Sequence, residues 1–228
     1  MIDVDIERVF NEADYPGLKI AGTFVELDEY LRKLLEVVPY ARDQALVRFQ
    51  AELRTKAKSL SLDDLKESLA QIKWVTEDLM PRFFFGAFVL ALWAAYELAV
   101  TRLANYVRKK ENSALVISDL REPNTRRRLG RYIEAVMHEP LTVPPELCNR
   151  IDELLLVRNC MAHANGDLDV QREDRRKKAE DLAKANVGIT ILDNTIVVNE
   201  LFAREYLKHV ISFVNTMLTQ VHAKYPRA

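Results

Sequence analysis

The chain has 228 residues, enough for one large domain or two small ones with a substantial core. Hydrophobic residues make up 49% and charged residues 29%, as in ordinary soluble globular proteins, and six glycines and eight prolines are too few for a loop-rich all-β fold. The net charge of −1 excludes attraction of the whole molecule to nucleic acid, so any nucleic-acid binding must use a local patch.

The N-terminal half is predicted to be irregular over residues 1–25 and helical afterwards. Apolar residues at helical spacing predict a long amphipathic helix over residues 27–57, and Pro39 is the point at which it bends or splits. Ser61 begins the sequence SLDD and is expected to cap a helix that reaches residue 79. Pro81 is then expected to begin the next helix, which continues to residue 110.

The helix that follows Pro81 contains the apolar run FFFGAFVLALWAAY, which covers residues 83–96 and is interrupted by Glu97. A membrane-spanning helix needs about 20 apolar residues, so this run is too short. We therefore predict a helix that is buried on all sides, at the centre of a domain or beneath a second subunit, and no association with a membrane.

The C-terminal half is predicted to hold further helices and one hairpin. Two β-branched runs flank a two-residue turn, which is typical of a β-hairpin. The expected elements are a connector (111–123), a basic helix capped by Asn124, a helix from Pro144 and Pro145 that Gly166 ends, a charged helix (171–184), a hairpin with Asp193 and Asn194 in its turn, and a last helix capped by Asn199.

These elements predict an all-α fold with a small β-hairpin before the last helix. The sequence contains no internal repeat and no low-complexity linker. We expect an N-terminal extension with a long helix over residues 1–60 and a helical domain over residues 61–228, packed together as one compact unit.

The two cysteines, Cys148 and Cys160, fall on one predicted helix about 18 Å apart, which is too far for a disulfide. Unpaired thiols without a Cys/His metal spacing predict a reducing compartment and no structural zinc. The acidic N-terminus MIDVDIERVF lacks the basic region and apolar core of a signal peptide. We therefore expect a cytoplasmic protein that needs neither a metal nor another cofactor.

The sequence RNCMAH, residues 158–163, places three polar groups beside an apolar run. Buried polar groups without partners are costly, so these residues either cap a helix end or carry out chemistry. Positive charge at the end of a helix suits the macrodipole, which favours capping. Asn159 and His163 are four residues apart and share a helix face, whereas Arg158 lies about 140° from His163 on a regular helix.

This R-N-x-x-x-H pattern at the end of an apolar helix resembles the Rx4-6H motif of the HEPN superfamily. The helix FVLALWAAYELAVTRLANYV resembles an early helix of that family, and the resemblance covers about residues 80–225. It implies an up-and-down helical bundle that forms homodimers through the helix carrying Arg158 and His163. It also implies a metal-independent endoribonuclease of stress-response, toxin–antitoxin or phage-defence systems, with RNA as substrate and an antitoxin or other small protein as a candidate partner.

The residue types suit metal-free RNA cleavage, in which the 2′-hydroxyl attacks the adjacent phosphate. Histidine is the side-chain type whose unperturbed pKa lies near neutrality, so His163 can act as a general base or acid. Arg158 offers a charged fork that fits phosphate oxygens and can stabilise the transition state. Asn159 can orient the imidazole or the phosphate in support. The resemblance implies products with 2′,3′-cyclic phosphate and 5′-hydroxyl ends.

Glu97 and two arginine clusters are further candidates for the site. A buried carboxylate at Glu97 can hold Arg158 or tune His163, but it can equally pair with Arg102 or face solvent. The arginines can contact RNA phosphates, although each cluster also fits a solvated helix face, and no aromatic residues are interleaved for base stacking. The clusters contain Arg126, Arg127, Arg128 and Arg131, and then Arg172 and Arg175.

Three other interpretations remain open at this stage. Cys160 fits a small core residue better than a nucleophile. The chain as a whole also fits a non-catalytic HEPN-like dimeric module that binds a protein partner or a nucleotide. A plain helical scaffold would be favoured if Arg158 and His163 pointed into separate surface environments.

Overall fold

The computed structural model describes residues 16–56 and 60–226. It confirms the predicted all-α fold with a small antiparallel hairpin before the last helix. The elements in chain order are α1 (Gly17–Lys56), α2 (Leu62–Lys73), a π-helical turn (Trp74–Leu79), α3 (Met80–Lys110), a 3-10 turn (Ile117–Asp119), α4 (Thr125–Met137), α5 (Pro145–Ala164), α6 (Glu173–Ala185), β1 (Ile189–Leu192), β2 (Thr195–Val198) and α7 (Glu200–Lys224).

Helix α1 begins at Gly17, so the expectation of an irregular chain is wrong for residues 17–25, while residues 1–15 lie outside the described part. Ile20 and Phe24 are buried and extend the apolar stripe of α1 towards its N-terminus. Burial of these side chains outweighs the low helix propensity of the glycines in this segment. Pro39 lies inside α1, which continues past it without a break.

The boundary predicted at Pro81 is also wrong, because α2, the π turn and α3 form one continuous helical segment. Its start is as expected, since Ser61 and Asp64 form a reciprocal capping box. The N–H of Met80 donates to the carbonyl oxygen of Val75, five residues earlier. Pro81 has no N–H to donate, and the helix accommodates it by widening the preceding turn.

Helix α3 has one exposed apolar face within the single chain, so it is not buried on all sides by its own chain, and its coverage by a second subunit stays a prediction. Phe83 is 54% exposed, and Leu90 and Leu98 are also exposed. The segment Leu62–Lys110 contains an 18-residue window with a mean hydropathy of 1.9, of which 56% is buried. By length and composition it can cross a membrane, but a core helix of a soluble protein meets the same criteria. The absence of membrane association therefore stays a prediction.

The chain forms two compact units. Unit 1 consists of the described parts of Met1–Asp28, Ala91–Leu155 and Glu205–Ala228. Its core contains the fully buried Tyr96 of α3, Tyr132 of α4 and Phe213 of α7, and the rings of Tyr96 and Phe213 meet edge to face at 5.8 Å. Buried aromatic pairs of this kind contribute both apolar burial and a favourable ring geometry.

Unit 2 consists of the described parts of Glu29–Leu90 and Leu156–Arg204. Phe88 of α3 packs against Tyr30 of α1 at 6.0 Å between ring centroids, and Met161 of α5 lies against Gly86 of α3. A Cβ atom at Gly86 would lie 3.5 Å from the Met161 sulfur, so α3 and α5 pack closely here. The predicted domain boundary at residue 60 stays a prediction.

The hairpin fixes the C-terminal end of α5 within unit 2. Asp193 and Asn194 both have positive φ angles, as the predicted two-residue turn requires. The N–H of Ile196 donates to the carbonyl oxygen of Gly166 at 2.8 Å. Gly166 has a φ of +84°, and a Cβ atom there would lie 2.7 Å from the Ile196 oxygen, so only glycine fits.

Candidate functional site

The residues of RNCMAH occupy the last turns of α5, which ends where Asn165 and Gly166 adopt left-handed backbone conformations. Arg158 Nη1 donates a hydrogen bond to Asn159 Oδ1 at 2.9 Å. Because Asn159 and His163 are one helical turn apart, this bond brings the guanidinium towards the face that carries the imidazole. We call Arg158, Asn159 and His163 the motif set.

The motif set is open to solvent. Arg158 and Asn159 are half-buried, and His163 is exposed. Over residues 16–56 and 60–226, His163 takes part in no hydrogen bond or ion pair, and Arg158 has no carboxylate partner. A cation and an imidazole that are both accessible can meet an anionic ligand. In the described part of the chain no hydrogen bond joins Arg158 to His163, so the alternative of a plain helical scaffold stays open.

Buried neighbours hold the motif set in place. Val157, Cys160 and Met161 alternate with the motif set along α5 and lie in the core of unit 2. Cys160 is fully buried, and burial raises the pKa of its thiol, although the nearby charge of Arg175 partly opposes this effect. A buried thiol with a raised pKa is a poor nucleophile, which agrees with the prediction that Cys160 is a core residue.

Arg82 is a neighbour of the motif set that sequence reasoning missed. Its Nη2 donates to the carbonyl oxygen of Asn165 at 2.5 Å, two residues beyond His163. Its Nε is buried and has no hydrogen-bond partner among the described residues. The two residues are 83 positions apart in sequence, so no local pattern reveals this pairing. The sequence feature that could have drawn attention to Arg82 is its charge directly before the apolar run of residues 83–96.

The structure gives Glu97 a partner other than those considered from the sequence. Its Oε1 accepts a hydrogen bond from Thr125 Oγ1 at 3.2 Å within unit 1. Arg102 instead donates to the carbonyl oxygen of Lys19 and to the hydroxyl of Thr23. Glu97 belongs to unit 1, whereas Arg158 and His163 belong to unit 2, so its role at the motif set stays a prediction.

Arg126 belongs to a closed polar cluster in unit 1. Its guanidinium donates to both oxygens of Asp152, at 3.2 and 2.7 Å, and Asn124 Nδ2 donates to the same carboxylate at 2.9 Å. Burial opposes ionisation of Asp152, but these hydrogen bonds outweigh it and hold the pKa of the carboxyl below its usual value. We call Asn124, Arg126 and Asp152 the Asp152 clasp.

The other candidate arginines differ in their availability to a ligand. Arg128 donates twice to the carbonyl oxygen of Glu122, and Arg131 pairs with the Glu122 carboxylate at 3.4 Å. Arg127 is exposed. In unit 2, Arg172 is exposed and lies 3.5 Å from Asp174, whereas Arg175 is half-buried and donates to Gln171. Arg172 and Arg175 share unit 2 with the motif set, and the other four do not.

No group of three or more His, Cys, Asp or Glu side chains suited to hold a metal ion occurs among the described residues. Comparisons of the chain with protein-family models, with curated proteins and with solved structures find no match. The motif set therefore has to be interpreted from its own geometry and chemistry.

Proposed function

We propose that the protein is a metal-independent endoribonuclease of HEPN type in which Arg158 and His163 carry the reaction and Asn159 supports them. The hydrogen bond between Arg158 and Asn159 is the observation that favours this function most. It draws a guanidinium that has no carboxylate partner within residues 16–56 and 60–226 towards the helix face of an exposed imidazole. A phosphate held by the guanidinium would then lie within reach of a proton acceptor.

The proposed reaction is attack of the RNA 2′-hydroxyl on the adjacent phosphate. His163 accepts the proton of the 2′-hydroxyl or donates one to the leaving 5′-oxygen. Arg158 stabilises the negative charge that develops on the phosphorane, and Asn159 orients the guanidinium. One imidazole serves one of the two proton transfers at a time. A homodimer that brings two copies of α5 together would supply both, with 2′,3′-cyclic phosphate and 5′-hydroxyl ends as products.

The cellular setting that we propose follows from the resemblance of the motif. The protein would act in the cytoplasm in stress response, in a toxin–antitoxin pair or in phage defence. A small protein partner that covers His163 would then serve as an antitoxin. The second candidate function is a non-catalytic dimeric module that binds a protein or a nucleotide, and the same open guanidinium favours it as an anion-binding group.

The test is incubation of the full chain with total RNA in the presence of EDTA, followed by analysis of the RNA end groups. We expect cleavage with cyclic phosphate ends, and its loss in His163→Ala with unchanged circular dichroism, because His163 is exposed. His138→Ala is the matched control, since His138 is an exposed histidine at the end of α4. A His163→Ala protein that is as active as the wild type would rule out the proposed reaction. A folded protein that binds RNA and leaves it intact would favour the non-catalytic module.

A further inference from the structure

A small cavity of about 150 Å³ lies in unit 2 between the π turn and the hairpin. Trp74 and Asp78 line it from the π turn, and Arg82 lines it from the first turn of α3. The opposite wall is formed by hairpin residues that include Leu192 and Thr195. The wider π turn puts Trp74 and Asp78, which are four residues apart, on the same wall.

This cavity adjoins the end of α5 that carries His163. Arg82, on one wall, donates to the carbonyl oxygen of Asn165. Thr195, on the other wall, pairs with Asp167 in an isolated β-bridge. Both walls are therefore bonded to residues that lie two and four positions after His163.

The chemistry of the lining suits a nucleobase. Trp74 is 45% exposed, although tryptophan is usually among the most buried residue types, and its ring offers a stacking surface. Asp78 is half-buried and makes no hydrogen bond or ion pair within the described residues, so both of its oxygens are free to accept. Guanine alone among the RNA bases presents two adjacent N–H donors on its Watson–Crick edge, N1–H and the N2 amino group, which match the two oxygens of a carboxylate.

We propose that this cavity binds an unpaired guanine of single-stranded RNA, stacked on Trp74 and hydrogen-bonded to Asp78, beside the scissile phosphate. The inference rests on the proposed ribonuclease function, for which it names the substrate class. A cationic side chain of a protein partner would also stack on a tryptophan beside a carboxylate. The guanidinium of Arg82 in the same cavity disfavours a second cation and favours the phosphates that flank a base.

The first experiment measures binding without cleavage, in the full-length His163→Ala protein. The chain contains two tryptophans, and Trp93 is buried, so adding Trp93→Phe leaves Trp74 as the single tryptophan, which is excited selectively over the tyrosines. We titrate this protein with uridine pentamers that carry one central guanine, adenine or cytosine, and with the all-uridine pentamer. We expect quenching of Trp74 fluorescence, with the guanine pentamer binding about tenfold or more tightly than the others, as charge-assisted hydrogen bonds contribute.

The second experiment uses fluorescence anisotropy of the labelled pentamers with variants of the His163→Ala protein. Asp78→Asn should remove the preference for guanine, and Trp74→Ala should weaken binding of the guanine pentamer about tenfold or more. The matched controls are the neighbouring acid Glu77→Gln and the exposed aromatic Tyr40→Ala, both of which should bind as the parent does. Thermal unfolding checks that every variant is folded.

The outcomes separate this inference from the proposed function. If the wild type cleaves RNA but Trp74→Ala and Asp78→Asn leave pentamer binding and base preference unchanged, the cavity is not a base site and the ribonuclease stands. If the guanine pentamer binds as expected while the wild type leaves RNA intact, the base site is supported and the proposed ribonuclease activity is ruled out. Quenching by an arginine-rich peptide and by none of the pentamers would overturn the inference in favour of a cationic protein partner.

Discussion

Helix α5 contributes residues to the Asp152 clasp and to the motif set. Each contains an arginine and an asparagine, but only the clasp contains an acid. The Asp152 clasp contains a carboxylate that accepts hydrogen bonds from both the arginine and the asparagine. In the motif set the arginine donates only to an asparagine oxygen among the described residues, and the set contains an exposed histidine and no acid. The charge of the Arg126 guanidinium is thus compensated by Asp152, whereas the described residues supply no opposite charge to the Arg158 guanidinium.

This difference shows that the same residue types can stand in two electrostatic environments. A guanidinium with a half-buried carboxylate partner contributes to stability and is unavailable to other anions. A guanidinium that has only a neutral acceptor keeps its charge for a ligand. An arginine-rich stretch in a sequence is therefore a weak indicator of RNA binding, because the placement of acids elsewhere in the chain decides which arginines are free.

The largest effect that we expect is on RNA cleavage, and it distinguishes substitution of Arg158 from substitution of Arg126. Arg158→Gln should lower RNA cleavage by about 10²–10³-fold, because it removes the charge that stabilises the transition state, and should leave the free energy of unfolding nearly unchanged. Arg126→Gln should do the reverse, with cleavage maintained and the free energy of unfolding lowered by about 1 kcal/mol. Single-turnover cleavage rates and urea unfolding measure the two quantities. Equal loss of cleavage in both variants would contradict the distinction between the clasp and the motif set.

A smaller effect is expected when the motif set is given the acid that it lacks. Asn159→Asp places a carboxylate beside the Arg158 guanidinium, with almost no change in side-chain size, and should lower RNA cleavage about tenfold by neutralising the cation. The free energy of unfolding should stay the same or rise slightly. Asn149→Asp, at an exposed position of the same helix, is the control and should cleave RNA normally. Full activity in Asn159→Asp would show that the charge of Arg158 does not act on the substrate.

The smallest effect is the pH dependence that the clasp produces. The pKa of Asp152 is lowered in the folded state, so its contribution to stability is present above its unfolded pKa of about 3.9 and is lost as the pH falls through the folded value. The Asp152 side chain is 36% exposed and solvent screens the pair, so we expect about 0.5–1 kcal/mol.

Urea unfolding of the wild type and Asp152→Asn between pH 3 and pH 7 measures this contribution. The gap between their free energies of unfolding should be constant above about pH 5 and shrink below about pH 4. A gap that is independent of pH over the whole range would show that the carboxylate charge of Asp152 does not stabilise the fold.

Local chemistry made most of the fold predictable from the sequence. Asn124 and Asn199 cap α4 and α7 through short-range side-chain hydrogen bonds, as the sequence indicates. Asp193 and Asn194 form the hairpin turn because both residues tolerate positive φ. The shared face of Asn159 and His163 likewise follows from helical spacing alone.

Contacts between distant parts of the chain could not be predicted. The bond from Arg82 to Asn165 joins residues 83 positions apart, and Trp74 meets the hairpin only because of the tertiary fold. The Arg158 guanidinium crosses to Asn159 by bending a flexible side chain, which an ideal helical wheel does not represent. The continuous helix through Pro81 depends on a π turn, for which the sequence contains no reliable signal.

The π turn between Trp74 and Leu79 is equivalent to one extra residue in an otherwise regular helix. Deleting a single residue there would return the segment to α-helical pairing and rotate everything before it by about 100° around the helix axis. Trp74 would turn away from the hairpin, while Arg82 and α5 would keep their positions. A deletion of one residue would therefore change the proposed base site while leaving the proposed catalytic residues in place.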